Sequence, residues 1–285
     1  MKINILLILL LTIQSLEAKK LFESTRIVNA HSTEILGNGI LDFRITHKFG
    51  DIAGTSGGFH TLYGLDNASD IRIAFEYGVS NKVNLGVGRS KGVFIPELFD
   101  GFVKYAPFTQ GEKNLVSLTW LSNIALSAAQ KSTIENTLTS FERTSQRLSY
   151  FHQLLLARKV NDWLSLQSMS LYSYRQLVFD TDQNHLFSTG LGARLRLSKV
   201  VALLFDYYYV FANNSRSFQT SSRPTNPWGI GVEINTGAHT FFINVSNAQG
   251  VTENEFIPYT RSNINRGEYR LGFTISRPFR LAKKK

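Results

Sequence analysis

The chain has 285 residues, of which 43% are hydrophobic and 12% aromatic, enough apolar surface for one large β domain or two ordinary domains. Its mean hydropathy of −0.09 is too low for a bundle of membrane helices, but it is compatible with a barrel in which only alternate residues face lipid. Five terminal lysines (19, 20 and 283–285) contribute half of the net charge of +10, so no contiguous basic domain is left and we expect no nucleic-acid partner.

Residues 1–18 have the pattern of a secretory signal peptide. Lys2 precedes an apolar run over 3–13, and Ala18 lies before the expected cleavage point, although Leu16 leaves the exact site open. The run is shorter than the roughly 18–20 residues that span a membrane as a helix. There is no cysteine, which rules out disulfides and an acylated N-terminal cysteine. We therefore expect export, with any membrane attachment made by the fold itself.

The clearest pattern lies in residues 187–211, where apolar side chains occupy one parity in two successive arms. Successive side chains of a strand point to opposite faces, so each arm predicts a strand with one apolar face. Each arm is about as long as a membrane-spanning strand, roughly 9–11 residues. Similar alternation occurs along the rest of the chain, although Pro107 weakens it in the fourth segment and it is less regular in the seventh. The pattern predicts twelve strands: 41–49, 70–79, 83–88, 101–108, 116–126, 145–159, 164–175, 187–197, 201–211, 228–235, 241–245 and 269–276.

The connections between these strands alternate between short and long. One long connection, 128–144, is compatible with a helical turn at 132–143. An antiparallel transmembrane barrel with short periplasmic turns and long extracellular loops has this rhythm. A soluble β-sandwich or jelly roll also alternates, but its strands are usually shorter and its loop lengths less regular. The sequence therefore favours an all-β transmembrane barrel of about twelve strands.

In each predicted strand, the side chains that alternate with the apolar ones point to the opposite face. Many of them are charged, and we expect them to line the lumen. Two interpretations stay open: a polar pore for small solutes with a mild preference for anions, or a closed interior in which these groups pair with one another. The charged residues of this parity are Asp42, Arg44, Lys48, Asp70, Arg72, Glu76, Lys104, Arg194, Arg196, Asp206, Glu233, Glu268 and Arg270.

Interfacial aromatic girdles are expected at Tyr77, Trp120, Tyr209 and Trp228. His152 and the serines 165, 168 and 170 on the next strand are compatible with a lipase-like site on the barrel wall, but no Gly-x-Ser-x-Gly elbow occurs, which argues against catalysis.

The histidines have no metal-ligand spacing, and no glycine-rich phosphate loop follows a strand. We therefore expect neither an enzyme nor a bound metal or cofactor.

Several stretches resemble a family of membrane-bound β-barrel proteins of unknown function that is found mainly in Bacteroidota. The resemblance is strongest in the first hundred residues and covers most of the mature chain. It implies an outer-membrane barrel and no particular substrate. The matching stretches are 25–34 (TRIVNAHSTE), 41–51, 64–72, 76–78, 87–90, 100–105, 153–159, 207–209 and 247–256.

Residues 25–34 match this family well but have a weak strand pattern. We therefore divide the chain into a signal peptide (1–18), a periplasmic or plug-like segment (19–38) and a barrel (39–285). The segment either fills the barrel mouth, binds a periplasmic protein partner, or is an ordinary leader to the first strand. Its candidate residues are Thr25, Arg26, Asn29, His31 and Glu34.

The expected protein is thus an exported barrel of the bacterial outer membrane, in contact with its lipid, that acts as a small-solute channel or transporter component. A closed structural or partner-docking barrel, and a secreted glycan-binding β-sandwich, are the alternatives.

Overall fold

The computed structural model describes residues 20–111, 113–211 and 224–281. Within them the chain forms twelve antiparallel strands that close into one barrel, which confirms the predicted fold. The strands are β1 (Ile40–Asp51), β2 (Ala68–Gly78), β3 (Val83–Ser90), β4 (Leu98–Phe108), β5 (Ser117–Ser127), β6 (Leu148–Lys159), β7 (Leu164–Arg175), β8 (His185–Arg196), β9 (Val201–Phe211), β10 (Trp228–Asn235), β11 (Thr240–Ser246) and β12 (Arg270–Arg280).

Each strand pairs with its neighbour in the chain, and β1 pairs with β12 to close the sheet. The register of the closing pair runs from Ile40 opposite Arg280 to Asp51 opposite Arg270. Closure leaves no open sheet edge, and an open edge cannot be satisfied in hydrocarbon.

The two ends of the barrel differ in their connections. One end carries the short connections 79–82, 109–116, 160–163, 197–200 and 236–239, together with the start of β1 and the end of β12; we call it the short-turn end. The other, the long-loop end, carries the connections 52–67, 91–97, 128–147, 176–184 and 247–269. Most of the polar loop predicted after β9 lies outside the described residues, and the whole predicted signal peptide does too.

The outer wall of the barrel is apolar because the pleat places one parity of every strand outside. Ile73 on β2, Leu191 on β8 and Ile243 on β11 are about half exposed or more, while their sequence neighbours are buried. A continuous exposed apolar band is what a lipid-facing wall requires.

No helix in the described part of the chain is both long enough and apolar enough to span a membrane.

Three of the differences between the predicted and the observed elements concern the ends of the barrel. The sixth strand begins at Leu148 because Thr144–Arg147 forms a 3-10 turn; the helical turn was expected just before it, at 132–143. The last strand continues to Arg280, past its predicted end at 276, because β1 supplies backbone partners as far as Ile40. The last long loop contains a short helix, α1 (Glu253–Tyr259), all of which is buried.

Candidate functional site

Residues 20–36 form a hairpin inside the barrel, which we call the N-terminal hairpin. The N–H of Ile27 donates to the carbonyl of Ala30 at 2.8 Å, and the N–H of Ser32 donates to the carbonyl of Thr25 at 3.0 Å, so the chain reverses over these residues. Most of the hairpin is buried. Its polar backbone must find partners there, because an unpaired buried amide costs free energy comparable to a lost hydrogen bond.

The hairpin enters from the short-turn end, and its tip reaches the long-loop half. Near its open end the carbonyl of Leu21 accepts from Ser165, the second residue of β7. At its tip the side-chain oxygen of Asn29 accepts from Ser246, the last residue of β11, at 3.2 Å. These two strand positions lie at opposite ends of the wall, so the hairpin spans much of the lumen.

Glu34 closes the open end of the hairpin. One carboxylate oxygen accepts from the N–H groups of Leu21 at 2.9 Å and Phe22 at 3.2 Å. Burial raises the pKa of Glu34, and these two amides oppose the rise. The carboxylate thus ties the two arms of the hairpin together at the short-turn end.

Asp206 on β9 holds the tip of the hairpin. One of its oxygens accepts from the N–H groups of Val28, Asn29 and Ala30 at 2.9, 2.6 and 3.0 Å. Its other oxygen accepts from the side-chain amide of Asn29 at 2.9 Å, and Lys48 on β1 donates to the oxygen of the same amide at 2.8 Å. Asn29 therefore bridges an anionic and a cationic group of the wall.

Arg26 connects the hairpin to α1. It donates to the carbonyl of Asn29 at 2.7 Å, lies 2.8 Å from Nε2 of His31, and reaches the carboxylate of Glu253 at 3.3 Å. Burial lowers the pKa of His31 far below its ordinary value, and the nearby cation Arg26 lowers it further, so the ring is neutral. Nε2 then accepts the hydrogen bond from Arg26.

α1 fills the lumen from the long-loop end. One carboxylate oxygen of Glu255 accepts from the backbone N–H groups of Val93, Phe94 and Ile95 at 3.0 to 3.3 Å. Burial raises the pKa of Glu255, and repulsion from the carboxylate of Asp70 on β2 raises it further. The helix is therefore held to the neighbouring loop by a buried carboxyl group.

Little free space separates the hairpin from the wall. A cavity of about 20 Å³ lies beside Val28, Lys48 and Phe242, and one of about 10 Å³ lies between His31 and Arg72. Each is sufficient for about one water molecule. In this conformation the hairpin and α1 occupy the lumen.

The match to a family model decides where this barrel belongs. Residues 22–279 match the family described as membrane bound beta barrel domain (DUF5777). The chain belongs to this family. None of the curated protein sequences compared with it matches significantly. The matched range includes the hairpin from Phe22 onward and the twelve described strands as far as Phe279 of β12.

Solved outer-membrane barrels share this fold. An outer membrane channel from Pseudomonas putida F1 aligns with a TM-score of 0.51 and 10% identity, over 87% of this chain and 98% of that one. The KdgM porin, solved in complex with disordered oligogalacturonate, aligns with a TM-score of 0.51 and 8% identity, over 84% and 99%. At such identities the likeness concerns the fold alone.

Most of the charged residues expected in the lumen are buried on the inner wall, and several form ion pairs there. The paired groups are Arg44 with Asp42 at 3.0 Å, Arg72 with Asp100 at 2.7 Å, Arg194 with Glu233 at 2.8 Å and Arg270 with Asp51 at 3.0 Å. Arg44 also donates to the hydroxyl groups of Ser24 and Thr25 in the hairpin. The other wall charges that bind the hairpin are Glu76, Lys48, Lys104 and Asp206.

Arg196 and Glu268 lie outside the lumen wall. Arg196 is exposed at the last position of β8, next to a short turn. Parity predicts the face of a strand that a residue occupies but not its height, so a terminal residue of inward parity can still reach solvent. Glu268 precedes β12 and accepts from the N–H of Asn263.

The histidine and serines of the lipase-like pattern are divided between the two faces of the wall. Ser165 faces inward and binds the hairpin, whereas His152 is exposed on the outer wall, where its Nδ1 lies 2.9 Å from the hydroxyl of Ser122. Ser168 and Ser170 are also exposed on the outer wall. The candidate histidine and Ser165 therefore cannot act together.

The structure adds uncharged wall residues that sequence reasoning missed. Gln167 on β7 and Thr119 on β5 are buried and bind the hairpin. Both are polar residues with the inward parity of their strands, and this parity is the sequence signal that identifies them. The buried position of α1 had no such signal, because its partners lie far away in the sequence, in the loop 91–97, in the hairpin and on β6.

Proposed function

We propose that this protein is a small-solute channel of the bacterial outer membrane whose lumen is closed at rest by the N-terminal hairpin and α1. In this proposal residues 1–18 direct export, residues 19–38 act as a plug, and the barrel follows from residue 39. The wall charges Asp42, Arg44, Lys48, Arg72, Glu76, Lys104, Asp206, Glu233 and Arg270 line the pathway, with Arg194 near the short-turn end.

One observation carries the proposal: a separate segment, rather than wall side chains alone, fills this lumen. In a permanently closed small barrel the wall side chains can fill the interior themselves. Here Lys48, Lys104 and Asp206 reach the hairpin through hydrogen bonds, so its departure would leave a space lined by polar groups. The hairpin is continuous with β1 only at its end near residue 36, so it can leave without breaking the strand ladder.

The fold supports the assignment to the outer membrane, since the P. putida channel and the KdgM porin have the same architecture. The exposed apolar wall provides the lipid contact.

A permanently closed barrel that docks a partner is the second candidate. The observation in its favour is the tight packing around the hairpin, where cavities such as those of about 20 and about 10 Å³ each hold about one water. Such a barrel would use the hairpin as structural filling and would not conduct ions when the hairpin is loosened.

Planar-bilayer conductance separates the two candidates. We expect full-length protein to be mostly closed, a deletion of residues 21–34 to conduct steadily, and Asp206→Asn to open intermittently because the tip loses its anionic acceptor. Asp100→Asn is the matched control, since this buried wall aspartate binds Arg72 and Asn123 and makes no hydrogen bond to the described hairpin. Heat-modifiable gel migration verifies that each variant forms a barrel. A folded deletion variant that never conducts would contradict the channel.

A further inference from the structure

The inner wall binds the hairpin largely through main-chain atoms. Gln167 makes two such bonds: its Nε2 donates to the carbonyl of His31 at 2.8 Å, and its Oε1 accepts from the N–H of Thr33 at 2.9 Å. Thr119 donates to the carbonyl of Thr33 at 2.8 Å. A side-chain amide that both donates to and accepts from nearby peptide groups recognises a backbone rather than a particular side chain.

Two charged wall residues also bind main-chain atoms of the hairpin, whereas Arg44, Lys48 and Glu76 bind its side chains. Lys104 on β4 donates to two hairpin carbonyls, those of Thr25 at 3.2 Å and Glu34 at 2.6 Å. Asp206 accepts from three consecutive amides at the tip, beginning with Val28. The wall thus presents donors to carbonyls and acceptors to amide N–H groups at fixed positions along the lumen.

Glycines in the wall make room for side chains of the bound segment. A Cβ added to Gly192 would lie 2.5 Å from the side chain of Ile27, and one added to Gly229 would lie 2.6 Å from the side chain of Val28. Both glycines therefore mark places where the apolar side chains of the hairpin approach the wall backbone. Main-chain hydrogen bonds combined with side-chain pockets are a recurring mode of peptide recognition by proteins.

We propose that the lumen, once the hairpin has withdrawn, binds and passes short peptides, and that the hairpin is an intramolecular competitor for this peptide site. This inference rests on the proposed channel function. Every peptide carries the amide and carbonyl groups that Gln167, Lys104 and Asp206 already bind in the hairpin. A neutral sugar presents hydroxyl groups but lacks the regular alternation of N–H donors and carbonyl acceptors along a backbone.

The test uses the deletion of residues 21–34 in planar bilayers, with current block as the readout. The probes are a synthetic peptide with the sequence of residues 24–33, a scrambled peptide of the same composition, a copy with N-methyl groups at the positions of residues 28, 29, 30 and 33, and maltotriose. We expect both unmethylated peptides to block at similar concentrations. The methylated copy should need at least about tenfold more, because it lacks several of the donors that the wall accepts.

Gln167→Leu in the same deletion background locates the site. It should weaken the peptide block by about tenfold while ion conductance changes by less than about twofold, since two hydrogen bonds are lost and the side-chain volume is roughly kept. Gln153→Leu is the matched control, because this buried wall glutamine donates to the hydroxyl of Tyr208 and makes no hydrogen bond to the described hairpin. It should leave the block unchanged.

Failure of the channel and failure of the peptide site give different results. A folded deletion variant that does not conduct contradicts the proposed function. A conducting variant in which the methylated peptide or maltotriose blocks as well as the natural sequence overturns the peptide site. If the deletion variant does not fold, full-length Val28→Glu serves instead, since it places a carboxylate beside Asp206 and displaces the hairpin tip. The same probes and outcomes then apply.

Discussion

Arg26 of the N-terminal hairpin and Glu253 of α1 form a buried ion pair at 3.3 Å, and this pair joins the two segments that fill the barrel. The hairpin is held from the short-turn end, whereas α1 descends from the long-loop end. Displacement of α1 therefore removes a partner from Arg26, which also holds the carbonyl of Asn29. The two segments are coupled through one guanidinium group.

We predict that Arg26→Met or Glu253→Gln alone destabilises the seated hairpin. Removing one partner of a buried ion pair typically costs about 3–5 kcal/mol, because the other charge is left uncompensated, and the loss should be smaller in the double variant. Hydrogen exchange of the hairpin amides measures the effect. Lys20→Ala is the control, since the Lys20–Glu23 pair is largely exposed and such pairs contribute little. Additive losses in the double variant would show that the pair does not couple the segments.

The seating of α1 should depend on pH through Glu255. Burial raises the folded-state pKa of this carboxyl group, and Asp70 raises it further, so the folded state holds a proton that the displaced helix would release. The contribution is therefore favourable below the ordinary glutamate pKa of about 4.3 and is lost as the pH rises through the raised folded-state value. Protease sensitivity of the loop 247–269 should increase over this range. Glu255→Gln should make the protease sensitivity nearly independent of pH. If this variant keeps the same pH dependence, Glu255 is not the group that controls it.

Gly86 on β3 provides the surface on which the ring of Phe102 lies. A Cβ at this position would come within 2.1 Å of that ring, and Phe102 in turn contacts His31 of the hairpin in an edge-on arrangement at 5.1 Å. We predict that Gly86→Ala costs about 1–3 kcal/mol, as overpacking usually does, and also loosens the hairpin. Gly101→Ala is the control, because a Cβ there meets only a carbonyl oxygen at 3.8 Å. Equal thermal stability of the two variants would contradict the close packing of the Phe102 ring on Gly86.

A charged substitution on the outer wall should destabilise the barrel in the membrane. Leu191 is 61% exposed in the middle of β8, so Leu191→Arg places a guanidinium in hydrocarbon. The expected loss is about 2–4 kcal/mol at the bilayer midplane, measured by unfolding from lipid vesicles. Ile134→Arg is the control, since Ile134 is 69% exposed but lies in the long loop 128–147. Comparable losses at both positions would argue against a lipid-facing wall.

The strands were predictable because their pattern is local. The arms predicted in residues 187–211 differ from β8 and β9 by at most two residues at either end, since alternation at Leu191 or Phe205 is visible without knowledge of any partner. The same alternation placed Asp206 and Lys104 on the inner face. It did not show that Lys104 binds hairpin carbonyls, because that contact joins residues 79 and 70 positions apart in the chain.

The filling of the lumen was less predictable for a physical reason. Glu253, Asn254 and Glu255 are polar, and their sequence is typical of an exposed loop. In the interior each of them nevertheless has a partner, namely Arg26, Ser149 and the amides of residues 93–95, respectively. Burial of such groups depends on partners that only the closed barrel brings together. The height of a residue along the wall, which leaves Arg196 exposed, likewise requires the finished barrel.

A single engineered disulfide tests most directly whether the hairpin must leave the lumen for the channel to open. The chain has no cysteine, and a Cβ on Gly229 would lie 3.0 Å from Cβ of Val28. This is about 0.5 Å less than the shortest usual Cβ spacing of a disulfide, so the bond requires a shift of the hairpin tip by about that distance. Val28→Cys with Gly229→Cys, combined with Asp206→Asn to loosen the tip, should conduct when reduced and close when oxidised. The same conductance in both redox states would contradict the account.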